Sequence, residues 1–326
     1  MLKLYACLAG VLGLVIAFQS HAAEENVENI VVSGIRYETT ATTIPASISV
    51  ITAEDIARSG ASHLMDILRS HGALQISDLF GDGTDASVGL RGFSSTAQHN
   101  TLIMVDGRRL NNADNSLPDL NTVALSNIDR IEIVKSSMGS LYGDKAVGGV
   151  VNIITRSPDA LDINLQADYG SYDYRALFAG LENRHDNGLS YRFSAGRRLR
   201  EGYRDHNDLR LTDLSTRAAY THINGEVFVE YQDVNEHFNL PGPLFRDQLA
   251  ADRRQALNPD DHIQTETRAG RVGIRQTVIN GLELLAEYTN RHSDSEGRLS
   301  SAGNPALFTT NRRHQELTPR LIAILP

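Results

Sequence analysis

Beyond Pro158 the chain alternates apolar and polar residues with a period of two. Leu189, Tyr191, Phe193 and Ala195 interleave with Ser190, Arg192, Ser194 and Gly196, and Leu282, Leu284, Ala286 and Tyr288 interleave with Glu283, Leu285, Glu287 and Thr289. Weaker copies occupy 163–169, 174–181, 227–231 and 272–278. Successive strand side chains point to opposite faces, so this pattern predicts strands with one apolar and one polar face. Tight polar turns at 185–188, 223–225 and 279–281 separate some segments, and a longer polar stretch at 236–261 separates others. Short turns at one end and long loops at the other predict an antiparallel transmembrane β-barrel; taken alone, this half also fits a soluble antiparallel sandwich. Eight of the eleven tyrosines lie after residue 160, often at strand ends where an aromatic girdle would form.

Between Ile44 and Arg156 the pattern is different. Ser47–Ile51 alternates like a strand, and Thr52 then caps a helix with Asp55 at the capping-box position. A second helix is predicted over Ser62–Arg69, where Leu64, Ile67 and Leu68 share a face, ending near Gly72. Four β-prone runs follow, at 87–91, 101–105, 128–134 and 149–155, and the central ones are nearly all apolar, as expected for strands covered on both faces. Asp106-Gly107 marks a tight turn. The prediction is an α+β domain at 41–157, followed by barrel strands at 160–326.

The N-terminus sets the compartment. Lys3 precedes an uncharged apolar run from Leu4 to Phe18, then Ser20 and Ala22 flank an expected cleavage point, which makes residues 1–22 a secretory signal. The run is too short to span a bilayer about 30 Å thick as a helix. No later stretch approaches a spanning helix, so a membrane location requires a barrel. The single cysteine, Cys7, lies in the signal, leaving the mature chain without a disulfide or thiolate metal site. A net charge of -9 and the lack of a clustered basic surface argue against a nucleic-acid partner. Residues 23–40 form a polar leader with one short extended run.

Four ordered motifs carry a resemblance: Gly89-Leu90-Arg91-Gly92-Phe93; Asn100 to Asn111 with the sequence NTLIMVDGRRLN; Ile128-Asp129-Arg130-Ile131-Glu132-Ile133-Val134; and Leu141 to Thr155. In order and spacing they resemble the plug domain of TonB-dependent outer-membrane receptors. One departure is Lys135-Ser136-Ser137, where members commonly carry a basic residue and Gly-Pro. The leader run Glu28, Asn29, Ile30, Val31, Val32 and Ser33 resembles the family's TonB box, a β-prone peptide able to add a strand to a partner's sheet. The resemblance implies a receptor in the outer-membrane lipid that takes up a ferric siderophore or similar Fe(III) chelate. It implies TonB and its inner-membrane energising proteins as partners, with no resident cofactor, no metal site and no chemistry on the ligand; cobalamin, haem and other chelates are the alternatives. It also implies that plug arginines, here Arg91 and Arg130, pair with barrel glutamates.

For ligand contact the candidates are loop-tip residues: Phe80 and Asp82, then Phe93, Ser94, Gln98 and His99, then Asp114 and Asn115. The glycines at 81–83 imitate a dinucleotide fingerprint but neither follow a parallel strand nor open a helix, and no nucleophile elbow appears, so an enzyme is not expected. A plugged barrel has about 22 strands, and only seven or eight segments are countable here. The chain is therefore expected to be the leading part of such a receptor, the alternative being a plug that acts alone as a periplasmic binding module.

Overall fold

The computed structural model describes residues 31–32, 39–40, 47–71, 74–78, 86–93, 96–114, 116–279, 281–301 and 304–323. The signal peptide, Glu28, Asn29, Ile30, Ser33, Gly72, Phe80, Asp82, Ser94 and Asn115 lie outside the described residues.

In the leader, β1 (Val31–Val32) pairs antiparallel with β2 (Thr39–Thr40). The plug opens with β3 (Ile48–Thr52), α1 (Ala53–Ser59) and α2 (Leu64–Ser70). The capping box forms as expected: Asp55 N–H donates to Thr52 Oγ1 at 3.2 Å, and Thr52 N–H donates to Asp55 Oδ2 at 2.9 Å. That satisfies two otherwise orphaned amides. Gly60 closes α1 at φ +65°, a conformation natural to glycine. α2 starts at Leu64, two residues after the expected Ser62, with His63 at its N-cap. Next come β4 (Leu74–Asp78), β5 (Ala86–Leu90), α3 (Ala97–Asn100), β6 (Thr101–Val105), β7 (Arg108–Arg109), β8 (Ile128–Val134), α4 (Gly139–Tyr142) and β9 (Gly149–Thr155).

The main plug sheet has the order β3-β8-β9-β6-β7, with β6 and β9 parallel, while β4 and β5 form a separate hairpin. Its core is continuous from α2 (Leu64, Ile67, Leu68) through β6, β8 and β9 (Ile103, Ile131, Ile133, Val151, Ile153), all at most 2% exposed. The apolar runs are apolar because both sheet faces are covered. The turn between β6 and β7 places Asp106 at φ +48° and Gly107 at φ +75°, the two positive φ values of a hairpin turn that matches strand twist.

Eight antiparallel strands follow in sequence order: β10 (Asp162–Gly170), β11 (Tyr174–Arg184), β12 (Leu189–Arg200), β13 (Leu209–His222), β14 (Gly225–Asn239), β15 (His262–Ile279), β16 (Leu282–Ser301) and β17 (Asn304–Ala323), with α5 (Arg246–Ala251) in the loop before β15. The faces are inverted relative to a soluble sheet. Ser190 and Ser194 are buried while Phe193 is 48% exposed; likewise Val229 is 54% and Val272 51% exposed. The apolar face looks outward and the polar face looks onto the plug, as in a membrane barrel. The structure corrects the expected polar loop at 236–261: β14 continues to Asn239, and Glu236 is a buried strand residue. The strands run up to 20 residues, beyond the ten-residue alternation, because outside the apolar band both faces turn polar. On β14 the outward row changes from Val227, Val229 and Tyr231 to Asp233, Asn235 and His237. No described helix is long and apolar enough to cross a membrane.

Candidate ligand site at the plug–barrel interface

Inward-facing strand residues are two apart, so each strand presents a row of side chains to the plug. Arginines dominate that row. Arg271 Nη2 donates to the Asp106 carbonyl at 2.8 Å and to Glu287 Oε1 at 2.8 Å, and Arg271 Nη1 reaches Glu230 at 3.3 Å. Arg291 donates to the Leu110 carbonyl at 3.0 Å and to Asn112 Oδ1 at 2.9 Å. Arg192 donates to the Arg156 carbonyl and, at 3.2 Å, to Thr155 Oγ1. Arg320 reaches the Gly107 carbonyl at 3.4 Å, and Arg312 pairs with Asp114 at 3.2 Å. Amides and hydroxyls add to this: Asn127 Nδ2 donates to Ser194 at 2.9 Å and Ser215 at 3.2 Å, and Asn121 Nδ2 donates to Glu236 at 3.0 Å. Hydrogen bonds to a charged group contribute about 1.5–3 kcal/mol each, so this set holds the plug firmly.

Asp106 joins three elements. Its carboxylate accepts from Thr155 N–H and Thr155 Oγ1, both at 2.8 Å, while its carbonyl receives Arg271. The turn residue thereby ties β6 to the end of β9 and to the barrel wall.

Among the described residues, Arg91 and Arg130 make their contacts within the plug. Arg130 bonds Asp129 at 2.8 Å and buried Glu132 at 3.0 Å, both within the plug, and Arg91, at φ +55°, reaches the Val147 carbonyl at 3.4 Å. Neither meets a barrel carboxylate among the described residues. The reason is geometric: β8 lies inside the plug sheet, next to β3 and β9, so Arg130 finds carboxylates on its own strand. Across the interface the described barrel arginines meet plug carbonyls, the Asn112 amide oxygen and the Asp114 carboxylate. Sequence reading could have found the signal in Arg192, Arg271 and Arg291, each at a polar position of an alternating strand.

Between the Leu110–Thr122 stretch and the inner faces of β14–β17 lies a cavity of about 380 Å3, near the end of the sheet that carries the long β14–β15 loop. Its wall includes Phe238, Ile263, Thr265, Thr267, Ser293 and Ser295. Of the described ligand candidates, exposed Asp114 stands beside it through Arg312, and its carboxyl is held below the usual range by the Ser116 hydroxyl. Phe93, Gln98 and His99 do not line it. Phe93 is half-buried against the backbone of Gly148, where a Cβ would come within 2.9 Å of its ring, and Gln98 and His99 belong to the single turn of α3. The structure gathers no cluster of potential metal ligands among the described residues.

Above the cavity the loops are ordered. Arg204 donates to the carbonyls of Gly242 at 2.5 Å and Gln255 at 2.7 Å, which locks the β12–β13 loop to the β14–β15 loop. Asp261 accepts from Ser300 N–H and Oγ, both at 2.7 Å, and so fastens the same loop to β16.

Residues 40–150 match the family model of the TonB-dependent receptor plug domain. Over that span the chain is similar to the plug domain of TonB-dependent receptors. It is 38% identical over 159 residues to the vitamin B12 transporter BtuB of Vibrio cholerae serotype O1, a match covering 48% of this chain and 26% of that protein. It is 35% identical over 141 residues to BtuB of Vibrio vulnificus, covering 43% and 23%. Among solved structures the ferric citrate transporter FecA in its unliganded form superposes with a TM-score of 0.76 at 22% identity, covering 86% of this chain and 45% of that chain. The ferric yersiniabactin uptake receptor FyuA from Yersinia pestis superposes with a TM-score of 0.73 at 18% identity, covering 86% and 46%. The chain thus spans less than half of these receptors, and its sequence match spans about a quarter of the curated relatives. At these identities the likeness concerns the fold alone, an α+β plug against an antiparallel sheet of eight strands.

Proposed function

We propose that this chain supplies the plug and a barrel wall of an outer-membrane receptor for TonB-energised uptake of a bulky metal chelate. The observation that carries the reading is the inverted sheet: an apolar face outward, a polar face inward, and an α+β domain bonded across that inner face. Such a plug closes the lumen to diffusion, so passage requires work on the plug. The leader offers a handle. Val31 and Val32 are extended and paired with Thr39–Thr40, a short backbone pairing that a TonB strand could replace. Ligand enters from the long-loop side and meets the cavity behind Leu110–Thr122.

Ferric siderophores are the first ligand class by family resemblance, and the likeness to FecA and FyuA bears on fold alone at these identities. A corrinoid is the second reading, favoured by the 38% identity to proteins named as vitamin B12 transporters. The test is accumulation of labelled ferric siderophore or labelled cyanocobalamin by cells bearing the receptor, with and without TonB. Uptake of either that needs both proteins is expected. Accumulation indifferent to TonB would sink the reading.

A further inference from the structure

We propose that the outer face of β13–β16 holds one zwitterionic phospholipid of the periplasmic leaflet, its acyl chain seated in a fixed groove. This rests on the outer-membrane reading above and concerns the wall rather than the transported ligand. The groove has a volume of about 630 Å3 and crosses the strands as two neighbouring rows. Tyr220, Val227, Ile274 and Ala286 are cross-strand partners in one row, and Ala218, Val229, Val272 and Tyr288 in the other. The aliphatic side chains make a low floor, and the two tyrosines stand at its opposite ends. Tyr288 Oη accepts from Gln315 Nε2 at 2.9 Å, and the Tyr220 ring stacks on His222 with centroids 6.4 Å apart, so both end walls are held. The floor is backed as well. Phe228 packs on its inner side against Gly273, where any Cβ would meet the ring, with the guanidinium groups of Arg217 and Arg271 at 4.4 and 5.0 Å from the ring centre. Lipid tails are as apolar as leucine, so no hydrophobic gain distinguishes one stretch of the wall from another; packing does, and a rigid groove gives a chain more contacts than a flat wall.

Two observations assign the leaflet and the headgroup. The groove lies close to the tight turns at 223–225 and 279–281, and short turns mark the periplasmic end of such a barrel. Ile223 and Ile279 at those turns are 97% and 64% exposed, so apolar surface continues from the groove to the turn tips and the groove lies inside the leaflet. On the row between groove and turns stand His222 and Gln276, both opposite Gly225. They offer polar groups to a headgroup, and neither is a fixed cation, which fits a zwitterionic lipid better than an anionic one.

The experiment reconstitutes the intact receptor in vesicles of phosphatidylethanolamine and phosphatidylglycerol, extracts it in mild detergent and counts the retained lipids by native mass spectrometry. One phosphatidylethanolamine per receptor is expected. The double variant Ala218→Leu/Ala286→Leu fills the groove and is expected to cut that occupancy roughly tenfold. Tyr220→Ala, which removes an end wall without crowding the floor, should lower it too, while Ala195→Leu, on the same face outside the groove, should leave it unchanged. Retention of phosphatidylglycerol or of a co-purified glycolipid instead, of no lipid, or of phosphatidylethanolamine equally in every variant overturns the proposal and leaves the membrane reading standing. Failure of the receptor to float with the vesicles overturns both.

Discussion

The plug and the barrel sheet use the same residue types in opposite directions. In the plug, Ile131, Ile133, Val151 and Ile153 are completely buried; in the sheet, Val229, Val272 and Leu317 face outward while Arg271, Glu287 and Ser194 are buried against the plug. The plug gains stability by taking apolar area out of water, at roughly 25 cal/mol per Å2. The sheet's outer face gains nothing comparable until lipid covers it. Hydrophobicity alone therefore does not say which way a strand faces; the polarity of the neighbouring compartment does.

The sharpest way to test this contrast is to place a charge on each side of it. Ile131→Asp buries a carboxylate without a partner and is expected to unfold the plug, at a cost above about 4 kcal/mol, read as loss of protease resistance over 48–155. Arg271→Leu comes next. It leaves Glu230 and Glu287 facing each other without their shared cation, and breaking a buried pair costs about 3–5 kcal/mol; hydrogen exchange should show the β6–β7 turn loosened, and Arg271→Lys should restore part of the protection. Val229→Arg on the outer face is expected to cost about 2–4 kcal/mol in lipid and much less in detergent-free soluble sheets, so a small effect on denaturant titration in liposomes would break the comparison.

Acid should act on the plug through His63. Burial pushes this imidazole down to about 4 from its ordinary 6.5. Between those values the unfolded chain takes up a proton that the folded plug refuses, so stability falls as pH falls from 6.5 to about 4 and levels off below. The full effect is about 3 kcal/mol, measurable as a melting temperature that drops over that window and is flatter in His63→Gln. The smallest expected change is Thr52→Ala, which removes the capping hydroxyl of α1 and costs about 1 kcal/mol, read as faster amide exchange in its first turn.

Much of this was legible in the sequence. The strands at 101–105, 128–134 and 149–155, the capping box at Thr52 and Asp55, and the turns at 185–188, 223–225 and 279–281 all follow from local rules, and local rules suffice where the chain itself supplies the partner. β13 and β17 were not legible, because outside the lipid band their outward positions are as polar as their inward ones. The contacts that Arg91 and Arg130 make within the plug were not legible either: they depend on sheet order, and the crossover that puts β8 between β3 and β9 is not written in any local pattern. The hydroxyl array at Thr265, Thr267, Ser293 and Ser295 needs two strands in register, so no single segment announces it.

The order β3-β8-β9-β6-β7 also has a mechanical meaning. Among the described residues β3 is the first plug strand met from the N-terminus and lies at the edge of its sheet, paired with β8 through five residue pairs. Tension arriving from the leader would load that short ladder before any other, whereas β6 and the β6–β7 turn are clamped at the far side by Arg271 and Arg320. Under such a load the plug would open from its N-terminal edge strand, while the β6–β7 turn stays held by the barrel arginines.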